Sequence, residues 1–282
     1  DSRVCRKWGQ MRNRKLKVIV AAMMAGSMVM GSMAYVQAAQ TDEVTESAAA
    51  ETASEETSDE SNELKSQLYG VWTVNLVSYM YMPDGRILDS NRNYLCDYKI
   101  DGDKIVWDLT NASEDFIGDV QDPKVEAKLL PMDTSKLSEA QKNTDYYFSG
   151  DDDKLMELTF SSTDNSDPMN PETTENVVYV AKSVMDQGSY GKALLYGYTW
   201  QSDAGSLTID KEGNMSLNDG EQTGKLYIDN LDDYRNVSFK WDGSGVTEYK
   251  ITEIDADKIV MEGAEDSSKT ITLTDKVALE DE

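Results

Sequence analysis

The chain has 282 residues with 53 acidic and 27 basic side chains, a net charge of −26, and no histidine. The absence of histidine excludes Ser-His-Asp and Cys-His catalysis, imidazole metal ligation and imidazole acid–base chemistry. The negative charge repels nucleic-acid phosphates and anionic lipid headgroups, so neither is expected as a partner.

The first segment has the order of an export signal. Met11 is followed by a basic stretch, an apolar run over 18–30 and small residues up to Ala38. A positive end, an apolar middle and small residues at the cut are typical of a secretory signal peptide. We therefore expect residues 11–38 to be the signal peptide and residues 1–10 to be an open-reading-frame overhang.

Two points about this signal stay open on the sequence. Cleavage is expected after Ala38, with Ala39 as the next choice. The alternative to cleavage is a retained anchor, because residues 18–36 approach the roughly 17–25 apolar residues that a membrane span needs. Either outcome predicts a secreted or cell-surface protein that contacts the membrane only through this segment.

Residues 39–65 are predicted to be a disordered acidic linker. The stretch 39–64 contains nine acidic residues, no basic residue and no aromatic residue. It buries too little apolar surface to offset the entropy lost on ordering. A short Ala/Glu helix is the alternative, although such a helix is marginal in isolation. Removal of residues 1–38 leaves 20 basic and 52 acidic residues, so the exported chain carries 20 − 52 = −32.

Cys96 is the one cysteine beyond the signal segment. A single cysteine cannot form an internal disulfide, so stability must come from an apolar core. Because Cys96 lies between Leu95 and Asp97 in an apparent strand, we expect a buried thiol rather than a reactive one.

Short alternating runs of aromatic and β-branched residues begin near Leu68. The first run is 71–77, and Pro83-Asp84-Gly85 predicts a hairpin turn after it. The other predicted strands are 94–100, 104–109, 155–160, 177–181, 206–209, 225–228, 237–241, 247–254, 258–261 and 269–273. Many short strands at hairpin spacing predict an all-β protein with an antiparallel barrel or sandwich.

Two stretches interrupt the strand pattern. Residues 111–145 include Ser135 ahead of a helix-forming segment, which predicts a short helix over 135–142. Residues 161–175 contain two prolines among Asp and Asn, which predicts a long exposed loop.

An internal repeat suggests two β units. The segment 68–72, Leu-Tyr-Gly-Val-Trp, recurs loosely over 195–200, and the Tyr-Lys-Ile of 98–100 with its following turn recurs over 249–251. The order is the same in both halves, which favours a β domain at 66–185 and a second small β domain at 190–279. The alternative is one large barrel or sandwich that uses every strand.

Gly70-Val71-Trp72 resembles the G-x-W signature of lipocalins and of lipocalin-like domains in bacterial secreted proteins, and Thr144-Asp145-Tyr146 resembles their T-D-Y signature. The resemblance implies an eight-stranded up-and-down barrel whose Trp closes one end and whose mouth takes small apolar ligands. The late Arg that packs on this Trp in the family has no match, since only Arg235 lies downstream.

No residue is assigned a catalytic, cofactor-binding or metal-binding role, and the ligand-binding residues stay unknown. Asp151-Asp152-Asp153 lacks the ligand spacing of a Ca²⁺ loop. The tryptophans of the folded region either fill sheet cores or line a ligand cavity; they are Trp72, Trp107, Trp200 and Trp241.

The sequence therefore predicts a secreted, non-enzymatic, lipocalin-like module that binds a small apolar ligand or acts as an accessory extracellular protein. The first alternative is a cell-surface protein that interacts with another protein or with glycan. The second is a hydrolase that cleaves glycans with paired carboxylates.

Overall fold

The computed structural model describes residues 63–74, 77–112, 114–117, 122–137, 154–164, 172–183, 186–228 and 234–280. The overhang, the signal peptide and residues 39–62 of the predicted linker lie outside the described residues. Residues 63–65, which the sequence analysis assigns to the linker, are helical and form helix α1 (63–68) together with residues 66–68.

Eight antiparallel strands close the first barrel. Each strand pairs with the next along the chain, and the last strand returns to pair with the first. The strands are β1 (Gly70–Val74), β2 (Val77–Tyr81), β3 (Arg86–Asp89), β4 (Tyr94–Asp101), β5 (Lys104–Asp108), β6 (Lys124–Pro131), β7 (Lys154–Asp164) and β8 (Glu172–Lys182). A short helix, α2 (Glu114–Ile117), lies in the connection between β5 and β6.

Helix α3 (Gln187–Leu195) leads into a second closed barrel with the same up-and-down order. Its strands are β9 (Tyr198–Ser202), β10 (Gly205–Ile209), β11 (Asn214–Leu217), β12 (Gln222–Tyr227), β13 (Asn236–Trp241), β14 (Val246–Ile254), β15 (Lys258–Gly263) and β16 (Thr270–Ala278). The prediction of an all-β chain with two β units is confirmed. Within the described residues, no helix is long and apolar enough to cross a membrane.

Several elements differ from the sequence prediction. Strands β3, β9 and β11 lie outside the predicted strands. Both ends of the predicted loop 161–175 are strand, since β7 runs on to Asp164 and β8 begins at Glu172. Of the helix predicted over 135–142, only residues 135–137 are described, and a 3-10 turn covers Thr134–Lys136.

The run 71–77 belongs to two strands, β1 and β2, that pair with each other. Strand β6 lies inside the stretch that was predicted to interrupt the sheet, and its sequence KVEAKLLP carries few of the β-branched and aromatic residues that mark strands. Helix α3 begins at the boundary expected between residues 185 and 190, and its two glycines hide its helical pattern.

The strands alternate between the barrel interior and the outside, as the two-residue period of a strand requires. In β2, Tyr79 and Tyr81 belong to the core of the first barrel, whereas Met80 belongs to a different cluster on the other face. In β1, Trp72 belongs to the core of the first barrel and Val71 to the cluster on the other face. Strands β1 and β2 are therefore buried on both faces.

The outer face of β1–β3 packs against α3 and the second barrel. Val71, Met80, Met82 and Leu88 join one continuous apolar cluster with α3 and with the interior of the second barrel. Helix α3 is thus part of a shared core rather than of an exposed linker.

Candidate functional site

Each barrel is closed at one end by a helix, a glycine and a tryptophan. In the first barrel, the indole N–H of Trp72 donates a hydrogen bond to the carbonyl oxygen of Leu68, the last residue of α1, at 2.8 Å. In the second barrel, the indole N–H of Trp200 donates to the carbonyl oxygen of Leu195, the last residue of α3, at 3.4 Å. Both indoles are almost fully buried, so each barrel has one sealed end.

A glycine with positive φ turns the chain from helix to strand at each sealed end. Gly70 has φ +127° and Gly197 has φ +82°. Side chains rarely adopt these conformations, which explains the glycine in both copies of the motif. The extra residue between Gly197 and Trp200 leaves the tryptophan arrangement intact.

A lysine from the last strand of each barrel lies over the buried tryptophan. The Lys182 ammonium lies 5.8 Å from the centre of the Trp72 ring, and the Lys276 ammonium lies 5.9 Å from the centre of the Trp200 ring. These are cation–π distances. Each barrel thus packs a lysine of its own last strand on its buried indole.

Lys276 also forms part of a polar junction between the barrels. Its ammonium donates to the Asp84 carboxylate at 2.8 Å, and Asp84 accepts two further hydrogen bonds from Arg86. Arg86 in turn donates to the Tyr198 hydroxyl at 2.7 Å. Burial raises the pKa of Asp84, but Arg86 and Lys276 outweigh it and hold that pKa below its ordinary value of 3.8. The carboxylate therefore stays ionised at neutral pH.

The open end of the first barrel is plugged. Helix α2 places Phe116 on Trp107 with the rings stacked at 6.0 Å, and Phe160 meets the same indole edge-on at 6.4 Å. The Trp107 N–H donates to the Tyr81 hydroxyl at 3.0 Å. The crevice that remains under α2 measures about 20 Å³, room for about one water molecule.

The open end of the second barrel keeps an apolar cup of about 130 Å³. Its walls are the side chains of Leu207, Leu217, Phe239, Trp241 and Ile271, and its rim includes the turn 202–204 and Thr270. Phe239 and Trp241 meet edge-on at 6.4 Å. This cup is the candidate functional site, because it combines an apolar lining with access from solvent.

One cross-strand pair helps to form the cup. Trp107 lies on the fifth strand of the first barrel and pairs with Tyr98, whereas Trp241 lies on the fifth strand of the second barrel and pairs with Gly224. A Cβ on Gly224 would lie 3.1 Å from the Trp241 ring and 2.5 Å from the Lys240 carbonyl oxygen. Gly224 therefore lets the Trp241 indole lie against the barrel wall. At the corresponding position the first barrel has a second aromatic ring, that of Tyr98.

A larger and more polar groove lies outside the first barrel, beside its sealed end. It encloses about 920 Å³ between α1, the turn at Pro83–Gly85 and the β4–β5 hairpin. Tyr69 and Tyr98 contribute aromatic walls. Burial, together with nearby Asp255 and Asp84, raises the pKa of Tyr69 to about 12, so its hydroxyl stays protonated.

The residues discussed from sequence fall in different places. Trp72, Trp107 and Trp200 are buried in the barrel cores, while Trp241 lines the cup. Cys96 is buried as expected, and burial with nearby Asp97 and Asp108 raises its pKa to about 12. The segments 144–146 and 151–153 lie outside the described residues.

The sequence analysis did not find the cup itself. Trp241 is followed directly by Asp242-Gly243, a turn signal that places it at a strand end and hence at a barrel mouth. The role of Gly224 had no local signal, because it depends on the cross-strand register. Within the described residues, no group of three or more Cys, Asp and Glu side chains is placed to hold a metal ion.

Comparison with known proteins gives no family model, no curated protein and no solved structure that matches the chain. Its function must therefore be argued from the geometry of the two barrels.

Proposed function

We propose that the chain is a secreted or cell-surface, non-enzymatic module of lipocalin-like type that binds a small apolar group in the cup of its second barrel. The observation that carries the proposal is the cup, which has an apolar lining and opens at the unsealed end. The export signal predicted at 11–38 supports the extracellular placement.

The size of the cup sets the size of the group. A cavity of about 150 Å³ lined by aliphatic and aromatic side chains is enough to bind benzene. Pockets for drug-sized ligands run from about 300 to 1,000 Å³. At about 130 Å³, the cup suits a single ring or a short alkyl chain, or the end of a longer molecule.

The sealed ends support the lipocalin-like assignment. A helix, a glycine and a buried tryptophan precede an eight-stranded up-and-down barrel in each half, and Lys182 and Lys276 cover the two indoles. The G-x-W resemblance of Gly70–Trp72 leads to the same arrangement.

Ligand-observed NMR with benzyl alcohol tests the proposal. We expect saturation transfer from the protein to the ring, which Leu217→Trp should abolish because the added indole fills the cup. Val277→Trp is the matched control, since it adds the same indole at an exposed site at the sealed end of the same barrel. Equal signals from both variants, or no saturable signal from the native protein, would overturn the proposal.

The plugged first barrel favours a second candidate, a surface module that contacts protein or glycan. Its interior is filled by aromatic and aliphatic side chains, and a groove of about 920 Å³ lies on its outside. This alternative predicts no saturable binding of small apolar probes at the cup, so the same NMR titration separates the two candidates.

The hydrolase alternative lacks support in the part of the chain that the structure describes. A glycosidase acid needs a carboxyl with a raised pKa. The described carboxyls with shifted pKa values all have them lowered; they are Asp84, Asp103, Asp108, Asp133 and Asp266.

A further inference from the structure

The cup of the second barrel has aromatic walls of a kind that attracts organic cations. Phe239 and Trp241 both line the cup, and their ring centres lie 6.4 Å apart. The faces of such rings carry partial negative charge, and an ammonium within about 6 Å of a ring centre is attracted to it.

The two sealed ends already contain this pairing within the chain. Lys182 and Lys276 lie over Trp72 and Trp200. Across the described ranges, no lysine or arginine lies over Trp241, the tryptophan of the cup. The ring at the open mouth is therefore left for a cation from outside the chain.

The connections around the mouth are negatively charged. The four turns at this end are 203–204, 218–221, 242–245 and 264–269. They contain six carboxylates and one ammonium, 1 − 6 = −5; the residues are Asp203, Asp219, Glu221, Asp242, Glu265, Asp266 and Lys269. The Lys269 ammonium lies 4.0 Å from the Asp266 carboxylate, so it already forms an ion pair within its own turn.

Of these carboxylates, Asp203 lines the cup. A second, Glu221, is held within the turn 218–221. The Glu221 carboxylate accepts a hydrogen bond from the Asn218 amide at 3.0 Å, and the Asn218 side chain accepts one from the Ser206 N–H beside the same turn. A positive charge at the rim would thus meet carboxylates while its apolar part enters the cup.

We propose that the cup selects a small organic ammonium compound, an amine that carries one ring or a short alkyl chain. This inference rests on the proposed apolar site and adds its charge preference. A positive charge about 4 Å from one carboxylate in water gains about five-fold in affinity, and the net charge of the rim adds to the attraction.

The test compares three probes of nearly equal size: benzylamine, benzyl alcohol and benzoate. We expect benzylamine to bind at least five-fold more tightly than benzyl alcohol at low salt, and benzoate to bind most weakly. The difference should shrink in 0.5 M NaCl, where the Debye length falls to roughly 4 Å. Equal affinities of benzylamine and benzyl alcohol would overturn the charge preference and leave the apolar site standing.

A pair of variants locates the effect. Asp203→Asn should reduce the ratio of the benzylamine affinity to the benzyl alcohol affinity. Asp257→Asn removes an exposed carboxylate at the sealed end of the same barrel and should change neither affinity. An equal effect of the two variants would overturn the role of the rim, whereas no binding of any probe would overturn the apolar site as well.

Discussion

The two barrels share one plan at their sealed ends and differ at their open ends. Each begins with a helix, a glycine and a buried tryptophan, yet the first mouth keeps a crevice of about 20 Å³ and the second a cup of about 130 Å³. The residues of the sealed end hold the barrel together, so few substitutions can be tolerated there. The shape of the mouth depends on the connections between strands, where substitutions and insertions cost less stability.

One connection explains most of the difference. The fifth and sixth strands of the first barrel are joined through 109–123, which contains α2 and places Phe116 on Trp107. The corresponding connection of the second barrel is 242–245, a tight turn with no helix to cover Trp241. A single insertion or deletion at this site can therefore fill or empty a barrel of this plan.

The largest expected effect contrasts the two fifth-strand tryptophans. Trp107→Ala should lower the free energy of unfolding by about 3–5 kcal/mol, because it removes a buried ring that touches four other aromatic side chains. Trp241→Ala should lower it by only about 1–2 kcal/mol, since that indole is half-buried. Urea unfolding followed by circular dichroism measures both, and equal losses would contradict the comparison.

The shared core predicts that the barrels unfold together. Met80→Ala removes a fully buried side chain from the outer face of the first barrel and should cost about 2–5 kcal/mol. Amide hydrogen exchange across a urea series, read by peptide mass spectrometry, follows the strands of each barrel separately. The exchange transitions of both barrels should move to the same lower urea concentration, whereas a shift confined to the first barrel would show independent barrels.

The junction predicts a pH dependence. Because the folded pKa of Asp84 is below its ordinary value of 3.8, its stabilising contribution is complete above that pH and is lost as the pH falls through the lowered value. Asp84→Asn should cost about 1–2 kcal/mol at pH 7, and the difference from the native protein should shrink below pH 3.8. Asp103→Asn, which removes an exposed partner of Lys128, is the control and should lower the stability less than Asp84→Asn does.

The smallest effect concerns the lysines over the buried tryptophans. Lys182→Met keeps the apolar stem and removes both the ammonium over Trp72 and its hydrogen bond to the Gln67 carbonyl oxygen. We expect a loss of about 1 kcal/mol by thermal or urea unfolding. Lys182→Arg should recover most of it, and a variant as stable as the native protein would argue against the cation–π assignment.

The strand pattern was predictable because side-chain alternation is local. Most strands lie within a few residues of their predicted bounds, and the turn at Asp84-Gly85 joins β2 to β3 as expected. The repeat was recognised correctly at Gly70–Trp72 and Gly197–Trp200. Its second half was misleading, since Tyr98–Ile100 lies on the fourth strand of its barrel and Tyr249–Ile251 on the sixth.

The candidate site could not be predicted from local sequence patterns. A cup forms from residues on several strands, and its shape depends on which residue faces which across the sheet. The pairs Tyr98–Trp107 and Gly224–Trp241 become comparable only once the register of both barrels is known. The sequence identifies the tryptophans as core or cavity residues. Only the closed barrels distinguish the tryptophans that fill a core from the one that lines a cavity.

Helix α3 has a practical consequence for dissecting the molecule. Its Leu195 carbonyl oxygen accepts the hydrogen bond of Trp200 at the sealed end of the second barrel, and its buried residues share one apolar cluster with Met80 and Met82 on the outside of the first barrel. A fragment that stops at Lys182 would carry an uncovered methionine-rich stripe, and one that starts at Tyr198 would lack its end cap. For recombinant expression, the second half therefore needs α3 at its start. The first half needs polar substitutions on its methionine-rich stripe to stay monomeric.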